Sequence, residues 1–123
     1  MHYLTDRKRA TGTGSARQGT QHFWWMTVSS YALLPLIILF IFTFGSALGG
    51  SYTEVAAYYS RPFPAIVAAL TFTVGLLHFK NGARVMIDDY VHGYARELTI
   101  ILVTCLSYTL IAIALFALVR LAL

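Results

Sequence analysis

Cysteine is nearly missing from this chain of 123 residues: there is one, Cys105, so no intrachain disulfide can form. It falls in the last apolar stretch, where the expected role is that of a small buried apolar residue. Charge is scarce as well. Asp, Glu, Lys and Arg make up 11% of the residues against 58% apolar ones, and the mean hydropathy is +0.66, which excludes an ordinary soluble globular domain. No internal repeat is found, and three apolar stretches cannot be divided into inverted halves, which disfavours a self-contained transporter. No relay of charged groups crosses those stretches, which disfavours a proton pump. A cleavable leader is excluded by the length of the first apolar run. A long amphipathic presequence rich in Arg and Ser is also missing, so the chain reads as a bacterial membrane protein or one already processed.

What is present is apolar and helical in period. Three stretches carry no Asp, Glu, Lys or Arg: about 23–44, 62–79 and 98–119. Each is long enough to cross a hydrocarbon core of ~30 Å at ~1.5 Å per residue, the second once it extends toward Met86. The expected fold is therefore an all-α membrane protein with transmembrane helices at about 23–44, 62–86 and 95–120. A separate arm over residues 1–20, reading TGTGSARQGT in its second half, shows no hydrophobic period and is expected to be mobile or ordered by a partner. No room is left for a soluble catalytic domain.

Local signals punctuate these spans. Phe23, Trp24 and Trp25 suit the headgroup level at the start of the first. Pro35 is expected to kink that helix, because it removes a backbone donor. Thr53 is a candidate cap for a short interfacial helix from Glu54 to Tyr59, and Pro62 and Pro64 suit the first turn of the second span. Gly93 is expected to break the chain between the second and third spans. Ser107, Ala112, Ala114 and Ala117 offer close-packing positions in the third. The cations lie mostly at one side: Arg7, Lys8, Arg9 and Arg17 before the first span, and Lys80, Arg84 and Arg96 between the second and third. By the positive-inside rule the orientation is N-in and C-out.

The segment HFKNGARVMIDDY, from His78 to Tyr90, carries the chemistry. Eleven residues separate His78 from Asp89, and eleven steps of about 100° return close to the starting face of a helix. His78, Gly82 and Asp89 then share a stripe, with Gly75 a turn earlier. A neutral imidazole near the membrane edge can ligate haem iron, donate a hydrogen bond or face a wet interface. The glycines would leave room for a porphyrin edge, and Arg84 and Lys80 could meet haem propionates. A second axial ligand would come from His22 or from a partner chain. Asp88, Asp89 and Tyr90 are equally consistent with a solvated helix end. Functionally, a tyrosine hydroxyl and a carboxylate at the water line suit quinone reduction, which consumes two protons beside an apolar slot.

The run H-F-K-N-G-A-R-V-M-I-D-D-Y-V-H resembles the pattern of the small hydrophobic membrane anchor of succinate dehydrogenase (succinate:quinone oxidoreductase, respiratory complex II). That pattern is a histidine, a glycine four residues on, and an acid–tyrosine pair ending at the twelfth. The three-span layout, the chain length and the N-terminal G-T-Q-H-F-W-W agree with it. The resemblance implies a helical bundle with a second membrane anchor, of the cytochrome b556 type, the two together holding an iron–sulfur subunit and a flavoprotein subunit at the cytoplasmic face. It implies a haem b shared between the two anchors, with His78 as one axial iron ligand. It also implies ubiquinone as the substrate reduced nearby, with Tyr90 bonding its carbonyl, Asp89 in support, and Arg84 a candidate contact for a haem propionate. The anchor is not catalytic alone. The resemblance further implies service in the tricarboxylic acid cycle and respiratory electron transport from a bacterial inner membrane, without nucleic acid. Many relatives carry an arginine early in the first helix, where this chain reads Met26-Thr27-Val28-Ser29-Ser30. Arg17, Lys80, Arg84 or a partner residue would have to replace it. The alternatives are a b-type haem subunit of another membrane oxidoreductase, ligated by His22 and His78, and a cofactor-free structural membrane protein.

Overall fold

The computed structural model describes residues 5–15 and 18–123, all helix and connection, with no strand among them. Five helices follow in order: α1 (Asp6–Thr11), α2 (Gly19–Ala47), α3 (Tyr52–Tyr59), α4 (Pro62–Tyr90) and α5 (Tyr94–Ala122). The three long ones have 29 residues each. At ~1.5 Å per residue each is over 40 Å long, more than the ~30 Å hydrocarbon core requires, so their ends project into the headgroups or the helices tilt. All three are apolar enough to cross a membrane. In lipid this is the economical solution, since a helix satisfies its backbone N–H and C=O groups within itself.

The arm expected to be mobile or ordered by a partner carries α1. Thr5 caps it by accepting from the Lys8 N–H, Asp6 lies in its first turn, Lys8 and Arg9 in its last, and Gly12 leaves it at φ 50°. Its six residues are all exposed. The break expected at Gly93 is present: α4 ends at Tyr90 with Val91 as its cap, and Gly93, at a positive φ of 66° that suits glycine, directly precedes α5. Pro35 lies inside α2, which remains helical on both sides of it. Pro62 and Pro64 open α4, where a missing N–H costs nothing.

The connection between α2 and α4 departs in one respect. The cap of α3 is Ser51 rather than Thr53: Ser51 Oγ accepts from the Glu54 N–H at 3.4 Å, while Glu54 Oε2 accepts from the Ser51 N–H at 2.7 Å. This reciprocal box fails if moved to Thr53, because Ala56, three residues on, has no carboxylate to return the bond.

α4 lies between α2 and α5, which do not touch each other among the described residues; α3 touches all three long helices. The spans thus form a row rather than a closed bundle. Little is buried within it among the described residues: Tyr59, Pro64, Val67, Ala68 and Ile87 of the apolar residues, and Thr43 and Ser107 of the polar ones. The Ser107 hydroxyl donates to the Val103 carbonyl, so its burial leaves no orphan group. Of the other small residues on α5, Ala114 is half-buried while Ala112 and Ala117 are exposed. Cys105, expected to be buried, is exposed as well, because α5 is an edge helix with most of its circumference open. Between α2 and α4, Phe40 packs edge-on against Phe72, with ring centroids 5.6 Å apart, and Thr71 Oγ1 reaches the Leu36 carbonyl at 3.5 Å.

Hydrogen bonds from the Ser51 backbone N–H and side chain hold the Glu54 carboxyl below its ordinary pKa. A carboxyl depressed in the folded state adds stability above its unfolded pKa and loses it as pH falls through the folded value. Hydrogen exchange in detergent should therefore show α3 protection declining under acid, below the usual carboxylate range. Ser51→Ala should lower α3 protection at neutral pH by about 1 kcal/mol, the worth of an N-cap, without loosening α4.

Candidate functional site

Two helical ridges face each other where α2 and α4 meet. On α2 they are Trp25, Val28, Ser29 and Ala32; on α4 they are Val74, Leu77, His78 and Asn81. Both sets follow the three-then-four spacing of one helix face, and together they line an apolar cavity of about 300 Å³. His78 is the ionisable group in it and is half-buried. Its Nδ1 lies 2.7 Å from Ser29 Oγ, a hydrogen bond between helices 49 residues apart in sequence. In an apolar setting such a bond fixes the direction of the ring and occupies one of its two nitrogens.

The sequence stripe is partly realised. Gly75 and Gly82 do share the α2-facing side of α4 with His78. A Cβ at Gly75 would come 3.8 Å from Leu33 Cδ2, and one at Gly82 would come 3.7 Å from Met26 Cε. The space in front of the two glycines is therefore taken by α2 side chains. Their place is in the seam between helices, not beside an open slot for a flat ligand, which is a correction to their expected role.

At the other end of α4 the acids separate in function. Asp88 lies 3.9 Å from Arg84 Nε and 3.6 Å from Arg96 Nη1, so it ties the last turn of α4 to the first turn of α5. All three side chains are substantially exposed, and each pair contributes at most about 1 kcal/mol. The arginines do offset the cost of an acid at a helix C-terminus. Asp89 and Tyr90 are exposed, Tyr90 by 80%, and neither side chain has a hydrogen bond among the described residues. Adjacent helical residues point about 100° apart, and the structure does not bring this pair together.

The remaining candidate cations divide between two faces. Arg84 and His22 line a polar cavity of about 360 Å³ with Gln18, Gly19, Val85 and Asp88. That cavity places the start of α2 beside the end of α4. Lys80 turns to the α5 side instead. Its Nζ donates to Tyr108 Oη at 3.2 Å and stands 4.9 Å from the centre of the same ring. Arg17 lies outside the described residues. His22 and His78 line different cavities, and His22 is seven residues before Ser29, or roughly 10 Å along the α2 axis. One iron cannot readily take both as axial ligands. Ser29, Arg96 and Tyr108 were not expected at the site. A lone serine among apolar residues gives no sequence signal of which helix it will face.

Three helices of spanning length in an open row, with a histidine groove at one seam and a charged end beside it, describe a multi-pass membrane protein. The family model described as succinate dehydrogenase/fumarate reductase transmembrane subunit matches residues 1–119. The chain belongs to that family, in the place of the succinate dehydrogenase membrane anchor. It is 47% identical over 123 residues to the succinate dehydrogenase hydrophobic membrane anchor subunit of Paracoccus denitrificans, covering 100% of this chain and 95% of that one. The protein of the same description from Rickettsia typhi (strain ATCC VR-144 / Wilmington) is 22% identical over 106 residues, covering 86% of this chain and 85% of its own. The succinate dehydrogenase membrane anchor subunit of Reclinomonas americana is 29% identical over 80 residues, covering 63% and 67%. No solved structure gives a significant match.

Because a Cβ at Gly82 meets only ordinary van der Waals contact, Gly82→Ala should assemble and retain its midpoint of thermal unfolding within a few degrees. Gly82→Leu should not, since its branched end would have to displace Met26. Thermal unfolding followed by circular dichroism in detergent separates the two.

Proposed function

We propose that this anchor contributes one axial ligand to a haem b and part of the site at which ubiquinone is reduced. In this reading it also holds a flavoprotein and an iron–sulfur subunit at the cytoplasmic face of a bacterial inner membrane. The observation that carries the first part is the half-buried imidazole of His78 in an apolar groove, with Nδ1 committed to Ser29 and Nε2 left for iron. The donor set fits a haem: one neutral nitrogen, apolar walls and an indole, Trp25, in the lining. Bound there, the haem supplies a one-electron carrier between the iron–sulfur chain and the quinone.

This chain's own residues then hold, orient and exclude water. The walls from Val28, Ala32, Val74 and Leu77 keep water from the ligated nitrogen. Arg84, in the polar cavity beside His22, is the cation placed to meet a propionate. Lys80 is engaged with Tyr108 on the far side, so Arg84 takes the part of the arginine that many relatives carry in the first helix. A second ligand to the iron would come from the partner anchor rather than from His22, which lines a separate cavity.

Tyr90 donates its O–H to a carbonyl oxygen of ubiquinone, and Asp89 beside it draws protons from the adjoining water. Their exposure fits a site whose other wall belongs to the partner subunits. The start of α2 and the end of α4 meet in one cavity, so Arg84 and Arg96 gather at the same side as the cationic arm. By the positive-inside rule that side is cytoplasmic, which is where quinone chemistry draws its protons.

Tyr90→Phe in the assembled complex should lower succinate-dependent ubiquinone reduction at least about tenfold, the worth of one hydrogen bond of roughly 1.4 kcal/mol. Reduction of a soluble dye by the flavoprotein should be unchanged. Equal loss of both activities would reject Tyr90 as a quinone contact.

A further inference from the structure

The Ser29–His78 contact carries a further consequence, which rests on reading His78 as an iron ligand. A hydroxyl has one proton to give. Ser29 Oγ is 3.0 Å from the Met26 carbonyl oxygen, which can only accept, and 2.7 Å from His78 Nδ1, which can do either. When the serine proton is donated to Met26, its oxygen must accept from Nδ1–H, and Nε2 is left with a free lone pair. The opposite arrangement, Ser29 donating to Nδ1, would put the ring's proton on Nε2 and abolish its ability to bind a metal. We propose that Ser29 is a positioning residue that fixes the His78 tautomer and ring plane for haem ligation by Nε2.

Three features favour the first arrangement. Ser29 lies in the middle of a helix, where its hydroxyl sits within reach of the carbonyl three residues back and needs no change of rotamer to donate to it. His78 is anchored by no other hydrogen bond among the described residues, so this one alone selects the ring's orientation. Apart from Asn81 and the indole of Trp25 the remaining walls of the groove are apolar, so Nδ1–H would lose the one partner it has here if Ser29 were removed. Ser30 is a built-in control. Its Oγ donates to the same Met26 carbonyl at 2.8 Å but makes no contact with His78.

The test uses the complete complex, purified from membranes with its flavoprotein, iron–sulfur and partner anchor subunits. Haem is measured per assembled complex so that lower yield does not enter. Ser29→Ala should weaken haem retention by roughly 10- to 100-fold against a haem-scavenging globin, the usual effect of losing a partner that orients a ligand. It should also shift the low-spin electron paramagnetic resonance g values, which report the plane of the axial imidazole. Ser29→Thr, which keeps the hydroxyl, should restore both, and Ser30→Ala should resemble the unaltered protein. Unchanged retention and g values in Ser29→Ala would overturn the assignment, as would equal changes in Ser30→Ala. A His78→Leu complex separates this from the underlying reading. If it keeps its full haem, His78 is not the ligand and both fail; if it loses haem while Ser29→Ala does not, only the role of Ser29 fails.

Discussion

The arrangement of the three spans rests on one constraint: α4 alone touches both of the other spanning helices. Lipid offers no hydrophobic drive to bring helices together, since hydrocarbon chains are as apolar as leucine, so each seam must be held by fit and a few polar bonds. The α2–α4 seam has Gly75 and Gly82 for close approach, the Phe40–Phe72 edge contact, the Thr71–Leu36 bond and the Ser29–His78 bond. The α4–α5 seam has the Lys80–Tyr108 contact and the Asp88–Arg96 pair. His78 therefore does two things at once. It joins two helices and presents a nitrogen to the groove between them.

The groove and the packing of the seam are thus drawn from the same side chains. The groove exists because small and branched residues at three-and-four spacing on both helices leave a gap that only partial burial fills. A partly filled apolar gap beside a hydrogen-bonded imidazole is a poor place for water. The polar end of α4 follows different rules. There the arginines and Asp88 neutralise one another near water, leaving Asp89 and Tyr90 exposed.

Much of this was legible in the sequence. The spans follow from runs without charge, the stop at Gly93 from its tolerance of positive φ, and the alignment of Gly75, His78 and Gly82 from helical period alone. What could not be read was which neighbour each face meets. The glycines were expected beside an open slot, yet Leu33 and Met26 fill the space in front of them. Lys80 was a candidate for propionates, yet it turns to Tyr108. Cys105 was expected inside, yet α5 is an edge. Each miss is a question of rotation about a helix axis, which an apolar sequence barely encodes when every face of the helix is acceptable to lipid. The cap at Ser51 was a different kind of miss: the returning Glu54 carboxylate three residues later was in plain view.

A row of helices one layer thick divides the chain unequally for the purposes of drift. On the outward sides of α2 and α5 one apolar side chain serves about as well as another, so random substitution there is nearly invisible to selection unless a neighbouring protein hides the position. On α4 more directions are taken, by two seams, by the groove and by the charged tip, although Phe63, Ile66 and Phe79 still face outward. Diverging descendants of this anchor should come to differ across most of their length while one helix changes slowly. Their overall identity would then fall to low values well before the architecture or the groove is lost.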